Sequence, residues 1–337
     1  MGAKSLARFG ALVALCTLSW QTQAACVTAA PGTAQWQNQG FASQSGVFSF
    51  HVSAQPQTAN GDTLVALSHG AKTNWSGLAA IVRFNSANQI DVRDGNIYRA
   101  DQGVRYYPGW TYNLRFDVDV PNKRYSVFYN YPGDVSYHPL ANNYAFRTEQ
   151  QGVTSLNNFV AEAEVGGMYA CPSAPRPWKT ATAGVRQWVN SDGVGIRAPG
   201  TYILKFRVRP SAANADLLLA LANGPQTTWT GLAAIVRFNR NNTIDVRDGG
   251  TYRADAVVPY QPNQTYDVTM LVYTTEDGSP WRYTVSVGPS HVPQSSTTIA
   301  SNYRFRTEQQ NVTQLTHWVL EAEVGGISGD LVDRELN

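Results

Sequence analysis

Leu78-Ala79-Ala80-Ile81-Val82-Arg83-Phe84-Asn85, followed by Ile90-Asp91-Val92-Arg93-Asp94-Gly95, is the stretch whose reading decides the fold. Leu78, Ala80, Val82 and Phe84 alternate with Ala79, Ile81, Arg83 and Asn85, the period-two pattern of a strand. With Ser86-Ala87-Asn88 in a turn, Phe84 faces Ile90 and Val82 faces Val92 on one side of the sheet. Arg83 then faces Asp91 on the other side. Apolar residues meet apolar partners and opposite charges meet, as cross-strand pairing favours. The stretch therefore reads as an antiparallel hairpin.

The same text returns. The run from Thr73-Asn74-Trp75-Ser76-Gly77 through Asn85 comes back as Thr227-Thr228-Trp229-Thr230-Gly231, continuing through Asn239. The hairpin register repeats with it: Phe238 with Ile244, Val236 with Val246, Arg237 with Asp245. Phe146-Arg147-Thr148-Glu149-Gln150-Gln151 returns at 305–310. A solenoid unit runs ~20–50 residues, shorter than this period. Whole domains cluster near ~100–150 residues, which fits it. The chain thus divides into a first repeat over 26–171, a Pro-rich linker over 172–177, a second repeat over 178–326 and a polar tail over 327–337 that is expected to fray.

Other segments carry the same alternation, among them Phe48, Phe50 and Val52, then Tyr112, Leu114, Phe116 and Val118, then Tyr125, Val127 and Tyr129. No long stretch has helical periodicity. Many short strands between Gly, Pro, Asn and Asp clusters predict an all-β protein of two tandem jelly-roll β-sandwich domains.

Residues 1–25 read as an export signal: Lys4 and Arg8, an apolar stretch, then small residues at Ala24 and Ala25. The apolar stretch falls short of the ~20 residues that span a bilayer, and no other segment comes closer. The expected location is secreted or periplasmic, with no transmembrane segment. Cys16 leaves with the signal, so Cys26 and Cys171 form an even pair in an oxidising compartment. Closing so long a loop is worth about 5 kcal/mol in the chain-entropy picture. The rival use of Cys26 is lipidation, for which Gln23-Ala24-Ala25 is a poor signal. The charge balance, 26 Lys plus Arg against 24 Asp plus Glu, lacks the basic excess of a nucleic-acid binder.

Candidate functional residues are the polar ones that occur twice. Trp75, Arg83, Asp91, Arg93, Tyr98, Arg147 and Glu149 reappear as Trp229, Arg237, Asp245, Arg247, Tyr252, Arg306 and Glu308. Arg99, Asp101, Asn143, Glu162 and Glu164 reappear as Arg253, Asp255, Asn302, Glu321 and Glu323. Rings stack on the apolar faces of sugars, while guanidinium, carboxylate and amide groups bond hydroxyls, so the expected partner is a polysaccharide or glycan. The plainer reading of Arg83 with Asp91, and of Arg147 with Glu149 or Glu162, is cross-strand ion pairing. Asp91-Val92-Arg93-Asp94-Gly95 offers oxygens for calcium but lacks the full loop spacing, and no other cofactor is expected. The histidines His51, His69, His138, His291 and His317 do not align between the copies, so no duplicated His general base exists. The first repeat alone offers Tyr137 and His138, with Arg147, as a set able to abstract a sugar proton.

At the Leu-Ala-Ala-Ile-Val-Arg-Phe-Asn strand, the Ile-Asp-Val-Arg-Asp-Gly partner, the strands over 112–129 and the Phe-Arg-Thr-Glu-Gln block, the chain resembles the concanavalin A-like, laminin-G-like jelly-roll modules of secreted bacterial proteins. The resemblance implies sandwiches of two curved sheets and polysaccharide binding or degradation. Arg147-Thr148-Glu149 also looks like the Arg-Thr-Glu strand of jelly-roll alginate lyases. Gln150 and Gln151 depart from that family, and its Gln-Ile-His and Tyr-rich blocks have no match. The leading expectation is a secreted tandem lectin-like module. The alternatives are a polysaccharide lyase or glycoside hydrolase, and a structural envelope or matrix protein.

Overall fold

A computed structural model describes residues 25–30, 35–134, 137–182, 187–277, 279–292 and 295–336. The export signal expected over 1–25 lies, except for Ala25, outside them. Among the described residues there are strands and four 3-10 turns but no α-helix. The strands form two sandwiches of identical strand order.

In the first sandwich the front sheet runs Val27–Ala29, Met168–Pro172, Val47–Pro56, Tyr112–Asp119, Arg124–Asn130, His138–Ala145. Its back sheet runs Gln35–Gln44, Leu156–Val165, Asp62–Ser68, Leu78–Phe84, Gln89–Asp94, Ile97–Arg105. In the second, the front sheet runs Lys179–Ala181, Ile327–Leu336, Gly200–Pro210, Tyr266–Thr274, Arg282–Pro289, Thr297–Arg304. The back sheet there runs Gln187–Ser191, His317–Val324, Asp216–Ala222, Leu232–Phe238, Thr243–Asp248, Thr251–Pro259. Each domain is a jelly-roll sandwich of antiparallel sheets, the arrangement expected from the alternating pattern.

The hairpin has the register its sequence dictates: Val82 faces Val92, Arg83 faces Asp91 and Phe84 faces Ile90, with the same three pairs in the second domain. Asn88 closes the turn with φ of 60°, a left-handed conformation that Asn tolerates. Every second side chain then faces inward. Phe50, Val65, Val82, Phe84, Phe116 and Phe159 are buried between the first pair of sheets. Phe206, Leu219, Val236, Phe238, Val268 and Trp318 are buried between the second. Tyr125 and Tyr283 cross their cores and bond the opposite sheet, at the carbonyls of Arg93 and Arg247. Each of these phenols meets the main-chain polar groups of the facing sheet, as buried hydroxyls require.

Two expectations about the chain's edges are corrected. The tail over 327–337 does not fray as a polar extension: Ile327–Leu336 is a ten-residue strand inside the front sheet, pairing with residues 202–210. The linker over 172–177 is not a free spacer. Arg176 and Pro177 pair with Ser49 and Phe48, and the Ser173 and Trp178 amides bond the His51 and Val47 carbonyls. Met168–Pro172 and Arg176–Pro177 together are therefore the first domain's version of that last strand, and the linker is its second part. The Cys26–Cys171 disulfide closes the same edge in the first domain.

The outer faces of the two front sheets meet. Arg207 Nη1 from the second domain reaches Asp117 Oδ1 of the first at 2.6 Å, and both residues are almost fully buried. Ser49 Oγ donates to the same carboxylate at 2.8 Å and accepts from Trp178 Nε1 at 2.9 Å. Arg209 pairs with Asp119 at 2.8 Å beside it. Burial opposes ionisation of Asp117, but Arg115 and Arg207 outweigh it and hold the carboxyl down at about 2.

Candidate functional site

The outer face of each back sheet carries a groove built from the same residue types. In the first domain a groove of about 210 Å³ is lined by Asp62, Leu64, Trp75, Arg83, Tyr98, Arg147 and Glu164. In the second a groove of about 260 Å³ is lined by Asp216, Leu218, Trp229, Arg237, Arg247, Tyr252, Arg306, Glu321 and Glu323.

Local structure explains why these side chains converge. Trp75 and Trp229 each start a 3-10 turn, Trp75–Gly77 and Trp229–Gly231, that lifts the ring over the sheet. The duplicated Gln after Arg-Thr-Glu pins that turn: Gln150 Nε2 donates to the Ser76 carbonyl at 2.7 Å, and Gln309 Nε2 to the Thr230 carbonyl at 2.8 Å. Arg147 and Arg306 are tied through their amides to the Ala79 and Ala233 carbonyls. Thr148–Gln150 and Thr307–Gln309 are themselves 3-10 turns, so Arg147-Thr148-Glu149 is not the strand that the alginate-lyase likeness implied. Beneath the groove lies a small apolar floor of Leu64, Ala66, Leu78, Ile81 and Val160.

The charged residues do two jobs. Asp91 takes Arg83 in a bidentate bond, at 3.0 and 2.8 Å, and Asp245 holds Arg237 likewise at 2.9 and 2.7 Å. The expected cross-strand ion pair is thus present, and it holds the guanidinium flat over a ring. The Arg83 carbon sits 3.9 Å from the Tyr98 centroid, with Arg93 at 4.9 Å. Arg237 and Arg247 cover Tyr252 at 3.8 and 5.0 Å. Glu149 and Glu308 grip Arg147 and Arg306 from the solvent side, within one turn rather than across strands. Asp91, Asp245, Arg93, Glu149 and Glu308 therefore support the groove, while Trp75, Arg83, Tyr98, Arg147, Trp229, Arg237, Arg247, Tyr252 and Arg306 face it.

Glu162 lies under Trp75 with its side chain 1% exposed or less, hydrogen-bonded to that indole, and its Oε1 has no hydrogen-bond partner. Burial pushes its carboxyl up to about 7, against the pull of the Trp75 bond and with the charges of Glu164 and Asp62 adding to the rise. The groove so offers an apolar wall, guanidinium donors and carboxylate acceptors, with the Glu162 carboxyl buried beside it in the first domain. Such a set binds hydroxyl-rich, uncharged or mildly charged ligands.

Asn143 and Asn302 bond within their front sheets, and Arg99 and Asp101 with their copies serve a seam. Arg99 bonds Asp94 at 2.7 Å, Asp94 accepts from the Ala145 amide, and Asp101 takes the Asn142 amide and the Tyr144 hydroxyl. Asp248, Arg253, Asp255, Ser301 and Tyr303 repeat the arrangement. These residues stitch the back sheet to the front sheet. Asp91 and Asp94 thus belong to different networks, one at the groove and one at the seam.

The lyase set does not assemble. Tyr137 and His138 line a cleft of about 310 Å³ between the domains, with Arg115, Phe128, Asp267 and Ser290, whereas Arg147 lines the back-sheet groove. Tyr137 there bonds His51 Nδ1 at 3.3 Å, and burial, aided by Arg115, lowers His51 to about 4. Asp62 with Asp216, and Leu64 with Leu218, were missed as groove residues. Both pairs occur at matching places in the two copies, so the duplication that exposed the others was their signal too.

No protein-family model matches the chain, and no curated protein matches it. Among solved structures, the metal-free lectin I-B4 from Griffonia simplicifolia is 14% identical, covering 44% of this chain and 81% of that one, with a TM-score of 0.30. Domains LG4-5 of the mouse laminin alpha1 chain are 8% identical, covering 95% of this chain and 94% of that one, with a TM-score of 0.26. A sialidase is 8% identical, covering 80% of this chain and 32% of that one, with a TM-score of 0.30. The jelly-roll architecture of this chain rests on its own strand order, and no ligand residue passes from these structures to it. Among the described residues no helix is long and apolar enough to cross a membrane.

Proposed function

We propose that the protein is an exported carbohydrate-binding module with one glycan groove per domain. The observation that carries this reading is the construction of one groove twice, from Trp, Arg, Tyr and acidic side chains at matching positions of both back sheets. A folding requirement accounts for the seam and the core; it does not account for a half-exposed indole lining the groove in each copy. The disulfide supports a place outside the cytoplasm. The test is retention of the mature protein on a glycan and polysaccharide array, with and without calcium. Trp75→Ala with Trp229→Ala should lower retention on the best ligand at least tenfold. Undiminished retention by a folded double variant removes the grooves from the reading, and an array with no ligand leaves the structural envelope reading.

One observation favours a second reading, glycoside hydrolysis. Such enzymes pair a protonated carboxyl with an ionised one, and Glu162 at about 7 lies near Asp62 and Glu164. New reducing ends from an array ligand, absent with Glu162→Gln, would establish it.

A further inference from the structure

We propose that the first domain carries an additional site, unrelated to the duplicated grooves: an aromatic ladder at the open end of its sandwich that binds a single strand of a neutral polysaccharide. The ladder begins at Tyr107 and Trp110, in the loop between Ile97–Arg105 and Tyr112–Asp119, which are 47% and 55% exposed. Ring centroids then step from Tyr107 to Trp110 at 5.1 Å, to Tyr131 at 6.0 Å, to Tyr129 at 5.9 Å and to His138 at 5.6 Å. Buried Tyr112 backs Tyr131 at 5.5 Å, and its hydroxyl accepts from the Tyr107 amide at 2.8 Å. The run ends at His138 on the lip of the interdomain cleft, where Arg115, Asp267 and Ser290 supply polar groups.

The fold does not need the exposed pair Tyr107 and Trp110, whereas Tyr129 and Tyr131 also pack one side against the core. The second domain builds the same loop with the same backbone bonds: Tyr266 takes the Gln261 amide as Tyr112 takes that of Tyr107, and the Asn263 amide bonds Pro210 as that of Gly109 bonds Pro56. By that equivalence Gln261 stands for Tyr107 and Gln264 for Trp110. By strand register Val287 stands for Tyr129 and Pro289 for Tyr131. A stable domain of this topology thus closes its mouth with glutamines and aliphatic residues. Exposed tryptophan and tyrosine there are a cost to solubility without a return in folding, which marks a binding surface.

The geometry selects the occupant. Each step is comparable to one pyranose unit, and edge-to-face contacts fix the rings before any ligand arrives. Three tyrosine hydroxyls along the run bond sugar hydroxyls while ring faces take the apolar side of the sugar. Nearby charge is balanced, Arg105 lying over Tyr107 at 5.9 Å and Asp134 bonding the Tyr131 amide, so the surface suits an uncharged polymer. Successive rings are tilted by 43°, 83°, 86° and 41°, which denies the flat platform a crystalline face requires and fits one twisted soluble strand.

The test uses the full mature chain and titrates tryptophan fluorescence and calorimetric heat with cellohexaose, xylohexaose, mannohexaose, laminarihexaose and N-acetylchitohexaose. Tyr107→Gln with Trp110→Gln copies the second domain's own residues, so the fold is kept. At least one hexaose should bind the native chain and the Trp75→Ala/Trp229→Ala variant equally, with affinity lost at least tenfold in the Tyr107→Gln/Trp110→Gln variant. Binding that survives the glutamine pair, or no hexaose bound at millimolar concentration, overturns the proposal, as does retention on crystalline cellulose or chitin without binding of the soluble chains. Because the groove variant is tested beside it, failure of the ladder and failure of the grooves give different patterns.

Discussion

The two domains share strand order, hairpin register, seam and groove, and differ at their edges, their mouths and the faces they turn to each other. The shared parts are what one sandwich with one groove requires. The differences show where each copy has its own task. The first domain closes its front-sheet edge with a disulfide and a strand in two parts, the second with the unbroken Ile327–Leu336. At the junction the first domain presents Ser49 and Asp117 where the second has Ile203 and Leu271, and the second presents Arg207 where the first has Ser53. The clamp between domains is thus made entirely of positions at which the copies diverged.

The largest effect in this comparison is expected at the clamp. Arg207→Ala leaves the buried Asp117 with Arg115 as its one remaining cation, and breaking a buried pair costs about 3–5 kcal/mol. Chemical denaturation should show the loss, and a change below 1 kcal/mol would mean that water reaches the junction. Next comes the edge. Cys26→Ser with Cys171→Ser should destabilise the first domain by about 2–4 kcal/mol and leave the second untouched. Hydrogen exchange read separately on the two domains checks this, and equal loss in both would show that they unfold as one unit. At the grooves, Trp75→Ala and Trp229→Ala should each weaken glycan binding about tenfold, near 1.4 kcal/mol. A large effect from one and none from the other would make a single groove competent.

A pH dependence is expected as well. The Glu162 carboxyl stands at about 7 in the folded chain against an ordinary 4.5, so the folded state holds its proton more tightly. That contribution is complete below 4.5 and disappears as the pH rises through about 7. Glu162→Gln should flatten the melting temperature against pH across this window, and an unchanged slope would place the titration elsewhere.

Much of this was legible in the chain because the text is written twice. Val82 with Val92 and Arg83 with Asp91 follow from alternation alone, since a one-residue slip would turn every apolar side chain outward. Trp75, Arg83, Tyr98 and Arg147 surfaced because each recurs. The tail and linker misled for a physical reason. Arg176, Pro177 and residues 327–336 have no amphipathic pattern of their own; their strand identity comes from hydrogen bonds to Phe48, Ser49 and residues 202–210, far away in sequence. Glu162 gave no sign of its burial, because Trp75 reaches it only through a turn pinned by Gln150. Arg207 and Asp117 occur once each, so duplication could not point to them.

The edge strands also set the order in which the molecule is completed. Val27–Ala29 pairs with Met168–Pro172, so the first residues of the first domain find their partner only when its last ones arrive, and the disulfide spans 145 positions. Contacts so distant along the chain form slowly, because a long loop must close before they contribute. Pairing of Arg176–Pro177 with Ser49 and Phe48 extends this dependence to the segment that leads into the second domain. A nascent chain cut before residue 168 would lack the strand that both Val27–Ala29 and residues 52–56 bind, leaving the inner strand Val47–Pro56 as an open edge. Synthesis from the N-terminus therefore exposes this edge until the first domain is complete.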